Sequence, residues 1–156
     1  MLAVDGGTPI TFDEVRQVAD ALVVASAPPP ATPDLDAAIQ AAASRALRAG
    51  VPAAEAVSAV DATDTSALVA ARTSFATAHP GFARTATVGL LATAPRAADR
   101  VDIQVSLTFN DPRLGISPAG PSGTTRIFGG EAVRTPSGWK ITQATYCGAV
   151  MMICGF

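Results

Sequence analysis

Between Val101 and Phe109 the chain alternates without a fault. Val101, Ile103, Val105, Leu107 and Phe109 fall on one side of an extended backbone, and Asp102, Gln104, Ser106 and Thr108 fall on the other. This is the pattern of a strand with one face buried and one face wetted. A strand of that kind needs a second layer over its apolar side, so the rest of the chain has to supply one.

That layer lies upstream, where the period is helical. Thr11 and Glu14 form a capping box, and Phe12, Val15, Val18, Ala19 and Leu22 follow at helical spacing, which predicts a helix over 12–26 that Pro28-Pro29-Pro30 stops. Thr32-Pro33-Asp34 opens a second helix through Ile39, Ala43 and Leu47, with Arg45 and Arg48 at its C-terminal end and Gly50 as its stop. Pro52 begins a short third helix with Ala56, Val57 and Val60 on its apolar side. After a break at 61–65, Thr65 or Ser66 caps a fourth helix that buries Leu68, Ala71 and Phe75. His79-Pro80-Gly81 is read as the end of the helical half.

Downstream the period changes to two. Strands are expected at 85–92, at 101–109, at 124–134 with a bulge or bend at Gly129-Gly130, and from Trp139 after the turn Pro136-Ser137-Gly138. The result is an α+β fold in which N-terminal helices, about 12–78, pack on a curled, mainly antiparallel four-stranded sheet, about 84–146. Residues 1–10 are a lead-in, and 11–156 form a single domain.

Charged residues are only 15% of the chain and the net charge is −2, so the basic surface that phosphate binding needs is missing and nucleic acid is excluded as the main partner. No run of apolar residues is long enough for a membrane-spanning helix. Met1 to Pro9 has neither the basic nor the apolar region of a signal peptide. One His and two Cys cannot complete a metal shell, the glycine pairs lack the setting of a phosphate cradle, and no serine sits in a nucleophile elbow, so neither metal nor cofactor is expected.

Individual residues carry little chemistry of their own. His79 precedes Pro-Gly at a helix end with no nucleophile beside it. Asp102 and Tyr146 would make a general base and an oxyanion donor only if both pointed into one pocket, and Asp102 lies on the polar face of its strand. Met151 and Met152 lie in an apolar run that suits the core, a ligand or a partner, because Met adapts to all three. Cys147 and Cys154 are seven positions apart, and either two buried thiols or a local disulfide accounts for them.

Gly138-Trp139-Lys140-Ile141-Thr142, then Thr145-Tyr146-Cys147, then Cys154, resembles the ending of small exported actinobacterial proteins of the cystatin-like, nuclear-transport-factor-2-like fold, including the mycobacterial low-molecular-weight-antigen group. The resemblance is loose from Phe75 onward and specific over the last nineteen residues. It implies a secreted or cell-envelope location on the outer face of the membrane, with a leader or anchor missing from this chain, and usually no known enzymatic activity. It also favours the disulfide Cys147–Cys154. A bridge needs Cα atoms about 5.5–6 Å apart, whereas seven residues of strand span about 23 Å and seven of helix about 10.5 Å. A bonded pair therefore requires 148–153 to leave the strand and fold back, with Gly148 as the turning point.

Three functions follow as expectations. The first is a non-enzymatic accessory or interaction domain of the envelope, whose partner is another envelope protein. The second is a binder of a small apolar ligand between sheet and helices, with Trp139, Tyr146, Met151 and Met152 as ligand- or partner-facing residues. The third is an isomerase- or hydratase-like enzyme, which needs Asp102, Tyr146 or His79 to converge. Val105→Asp is expected to unfold the domain and Ser106→Asp to be tolerated.

Overall fold

The computed structural model describes residues 30–114 and 123–149, together with Asp13, Arg16 and Cys154. Apart from Asp13 and Arg16, which are helical, the helix expected over 12–26 lies outside the described residues, as do Met151 and Met152. Helix α1 (Pro33–Leu47) starts where Thr32 Oγ1 accepts the Leu35 amide, with Pro33, Asp34 and Asp36 in its first turn. It buries Ile39, Ala42, Ala43, Ala46 and Leu47. Then follow α2 (Ala53–Ser58), β1 (Val60–Asp61), α3 (Thr65–Ala78), α4 (Pro80–Thr85), β2 (Thr87–Ala97), β3 (Arg100–Phe109), a 3-10 turn (Pro112–Leu114), β4 (Thr124–Thr135), β5 (Gly138–Thr142) and α5 (Gln143–Ala149). Asp64, not Thr65 or Ser66, caps α3, its carboxylate accepting the Ala67 amide at 2.9 Å.

The architecture is α+β, and the sheet has five strands in the order β1-β5-β4-β3-β2. The four long strands pair antiparallel, and β1 adds a parallel edge through Val60↔Ile141 and Asp61↔Thr142, so the sheet is mixed rather than four-stranded. Val60, expected on the third helix, belongs to this two-residue edge strand, which is too short to leave a period in the sequence. The alternation of β3 is borne out: Val101, Ile103, Val105, Leu107 and Phe109 are each at most 4% exposed, and each contributes about 1.5–3 kcal/mol by leaving water.

Three expectations about local structure are corrected. His79-Pro80-Gly81 does not end the helical half, because Pro80 is the first residue of α4, where its missing N–H costs nothing. Gly129-Gly130 makes no bulge, since the β3–β4 register runs unbroken through Gln104↔Gly129 and Ile103↔Gly130. A Cβ on Gly130 would overlap the Thr145 side chain, so this glycine lets α5 approach the sheet. Tyr146 and Cys147 lie on α5 and not on a strand, because Thr142 Oγ1 accepts the Thr145 amide and turns the chain into a helix; Gly148 lies within that helix.

Both long edges of the sheet use side chains in place of a strand. On β2, Gln40 of α1 donates to the Val88 carbonyl at 3.1 Å and accepts the Leu90 amide at 2.5 Å. Three residues along β2, Thr93 donates to Asp36 at 2.6 Å. On β4, Thr145 Oγ1 accepts the Glu131 amide at 2.7 Å and lies 3.1 Å from the Glu131 carbonyl. These contacts satisfy edge groups that would otherwise recruit foreign strands.

Candidate binding site

Helix α1 packs on the sheet through β2 and β5, and its first turn faces the β2–β3 hairpin and the β4–β5 strands. This leaves a groove of about 410 Å³. Trp139 of β5 and Arg134 of β4 sit directly across from each other in the register and line its floor with Val101. Pro95, Ala97 and Ala98 of the β2–β3 hairpin form one side, and Pro30, Thr32, Asp34 and Leu35 form the other. Trp139 is half-buried, while Asp34 and Arg134 are exposed, and among the described residues neither has an ion-pair partner. The groove thus offers an aromatic surface flanked by one free carboxylate and one free guanidinium. Such a site has the room and polarity for a flat or extended apolar body with a charged end.

The residues weighed for catalysis lie in three separate neighbourhoods. Asp102 is on the wetted face of β3, in an ion pair with Arg96. Tyr146 is fully buried on α5 beneath the opposite face, so it is closed to ligand and partner alike. Its near neighbour is Arg72 of α3, which is 6% exposed and donates to the Arg48 carbonyl at 3.3 Å. Arg72 Nη1 and the Tyr146 hydroxyl make no hydrogen bond of good geometry, although the guanidinium lies close enough to act on the hydroxyl. Burial raises the Tyr146 pKa above 10.0, and the Arg72 guanidinium only partly offsets it, so the phenol stays protonated at neutral pH.

His79 is buried beside Asp111, with Nδ1 4.0 Å from the carboxylate and its ring against Phe75. Asp111 is occupied structurally. Its Oδ2 accepts the Phe82 amide at 2.9 Å and its Oδ1 the Arg113 amide at 2.9 Å. Helix α4 has no side-chain cap of its own, so Asp111, two residues past the end of β3, caps it. A Cβ on Gly81 would collide with the Asn110 carbonyl and with Asp111, which is why the residue after Pro80 is glycine. Burial works to raise the Asp111 pKa, but the amides of Phe82, Arg113 and Gly81, with His79 nearby, bring it below the ordinary 3.8.

Cys147 and Cys154 are joined by a disulfide, with Cα atoms 5.5 Å apart. Among the described residues no helix is long and apolar enough to cross a membrane, and no cluster of His, Cys, Asp and Glu is arranged to hold a metal. No protein-family profile, curated protein or solved structure matches the chain. Of the groove, only Trp139 was legible as a site residue. Arg134 and Asp34 carry no local signal, because they meet it only through the β4–β5 register and the placement of α1. Asp111 has a weak signal, an acidic residue at the strand break before Pro112.

Proposed function

We propose that this chain is an exported actinobacterial domain of the cystatin-like class that acts as a non-enzymatic accessory module of the cell envelope, binding its partner through the Trp139 groove. The observation that carries the reading is the placement of the chain's one Trp, half-buried between an unpaired Asp34 and an unpaired Arg134. Aromatic and Arg side chains of this kind are the usual anchors of a binding surface. The disulfide supports a location outside the reducing cytosol, and the scattering of Asp102, Tyr146 and His79 speaks against acid–base catalysis. The partner is another envelope protein.

Because Trp139 is the sole Trp, its emission reports on the groove alone. The protein is immobilised and incubated with an envelope extract, beside Trp139→Ala and Arg134→Glu variants. A partner captured by the native chain and lost with both variants, with a shift in Trp139 emission on mixing, is the expected result. Equal capture by all three proteins would move the working surface elsewhere. A second reading, a binder of a small apolar ligand with a charged end, is favoured by the groove volume, which falls in the range of small-molecule sites. Native mass spectrometry of the purified protein that shows added mass, displaced in Trp139→Ala, would select it.

A further inference from the structure

Among the described residues that line the Trp139 groove only two are charged, Asp34 and Arg134, and their signs are opposite. They do not pair with each other, and neither has another ion-pair partner among the described residues. Arg134 finds no carboxylate on the strands beside it, because Asp102 and Glu131 are held on the opposite face by Arg96 and Arg100. Asp99, in the β2–β3 turn, makes no ion pair with it. Both groove charges stand on fixed elements. The Arg134 amide donates to the Asp99 carbonyl, on the β3 side. Arg134 and Trp139 are therefore a non-hydrogen-bonded pair of β4 and β5, the kind in which facing side chains lie closest, and the base of the Arg134 side chain is kept beside the indole. Asp34 stands on the facing wall, in the first turn of α1, which Pro33 and the Thr32 cap fix. Asp36, in the same turn, is bound to Thr93 of β2, whereas the Asp34 carboxylate meets nothing in the fold.

We infer that the groove takes an extended segment of a protein partner that carries an apolar side chain between a cation and an anion. The apolar side chain lies on Trp139, the cation meets Asp34 and the anion meets Arg134. The inference rests on the binding role proposed above for the groove, and it names what the partner presents there. Charge complementarity selects this occupant. A segment of one sign would meet an attraction and a repulsion in the same groove, and a neutral one would gain nothing from either charge. The planar fork of Arg134 suits a carboxylate at the anionic end. Exposure favours a protein segment over a free small molecule. Small-molecule sites bury most of their ligand. Here Asp34 and Arg134 are exposed and Trp139 is only half-buried, so an occupant keeps one side in water, as a chain passing through does.

Three capped peptides probe the groove, each with a central Phe that leaves Trp emission clear: one with Lys and Glu at its ends, one with Lys at both, and one with Glu at both. Trp139 is the sole Trp, so its emission reads binding there. The native chain should bind the mixed peptide at least about fivefold more tightly than either like-charged one at low salt, and the gap should close as salt is added. Arg134→Glu leaves two carboxylates and should move the preference to the two-Lys peptide. Asp34→Lys leaves two cations and should move it to the two-Glu peptide. Both positions are exposed, so both variants should keep the native circular dichroism spectrum. Should either reversal fail to fold, Arg134→Gln, which only deletes a charge, should bind the mixed and two-Lys peptides equally. Equal binding of all three peptides by the native chain, no change in Trp139 emission with any of them, or a preference that stays unmoved in the variants would overturn the inference. So would binding of free phenylalanine, which carries both signs on its own amino and carboxylate groups, by a chain that ignores the capped peptides. The capture from envelope extract succeeds or fails separately. A partner lost with the Trp139 and Arg134 variants, alongside indifference to peptide charge, keeps the binding role and sinks this account of the partner. A clear charge preference with no captured partner keeps the charge chemistry of the groove and sinks the envelope role.

Discussion

Two charged side chains are buried in this protein at nearly the same depth, and the fold treats them oppositely. Asp111 is 4% exposed and Arg72 is 6% exposed. Asp111 is met by the amides of Phe82 and Arg113, and Gly81 has given up its side chain to let it in. Arg72 has one carbonyl, an Nη1 without a well-formed bond, and as neighbour a Tyr146 hydroxyl that it meets only at poor geometry. Depth alone therefore does not decide what a buried charge contributes. A carboxylate whose lone pairs are filled by helix amides holds two segments together, whereas a guanidinium facing an unbonded hydroxyl is a cost carried by the packing around it.

The comparison breaks most sharply at Asp111. Asp111→Ala leaves the Phe82, Arg113 and Gly81 amides without an acceptor and α4 without a cap, and a loss of about 3–4 kcal/mol is expected in urea denaturation. The Arg72–Tyr146 side is held instead by a covalent bond one residue away. Reducing Cys147–Cys154 should cost about 2.5 kcal/mol, the chain-entropy value for so short a loop, read as a lower midpoint in the presence of a thiol reductant.

Acid separates the two centres further. The folded Asp111 carboxyl sits below 3.8, so its contribution is complete above the pKa of the unfolded chain and fades as pH falls through the folded value. Melting temperature should drop below about pH 4 in the native chain and less steeply in Asp111→Asn, which does not titrate and keeps one acceptor oxygen for the Phe82 or the Arg113 amide, at the cost of the other bond. Equal slopes for the two proteins would assign the acid sensitivity to other carboxylates. The loss on protonation should be smaller than that of Asp111→Ala, because a neutral carboxyl still offers an oxygen to the Phe82 amide.

The sequence spoke clearly where a feature is local. The fault-free alternation of β3 and the capping of α1 depend on neighbours a few residues away, and both stand as read. What was misread depends on distant contacts. Pro80 looks like a stop, and becomes a start because Asp111, just past the end of β3, accepts the Phe82 amide. Gly130 looks like a bulge, and is small because Thr145 arrives beside it. Tyr146 is the exception, misread for a local reason: it looks like the end of a strand, and is helical because the Thr142 hydroxyl accepts the Thr145 amide three residues on. The same limit applies to the groove: Trp139 announces itself by its type, but the charges beside it are set by register and by where α1 crosses.

The smallest expected effect is the most discriminating. Tyr146→Phe removes a hydroxyl that is fully buried and makes no hydrogen bond of good geometry, its polar neighbour being the Arg72 guanidinium, and it makes no cavity beyond one oxygen. Ordinary loss of a buried tyrosine hydroxyl costs about 1 kcal/mol through its hydrogen bond, and here only a poorly aligned contact with the Arg72 guanidinium is lost. Stability should change by less than about 0.5 kcal/mol, with any change favouring the phenylalanine, since the unpaired hydroxyl no longer has to be desolvated on folding. Arg72→Met extends the same logic. It gives up one bond to the Arg48 carbonyl but also the buried charge, and the outcome should lie between neutral and stabilising. Combined with Tyr146→Phe it should melt no lower than the native chain. A loss in the double variant as large as that of Asp111→Ala would show that guanidinium and hydroxyl hold each other after all, and the contrast between the two buried charges would collapse.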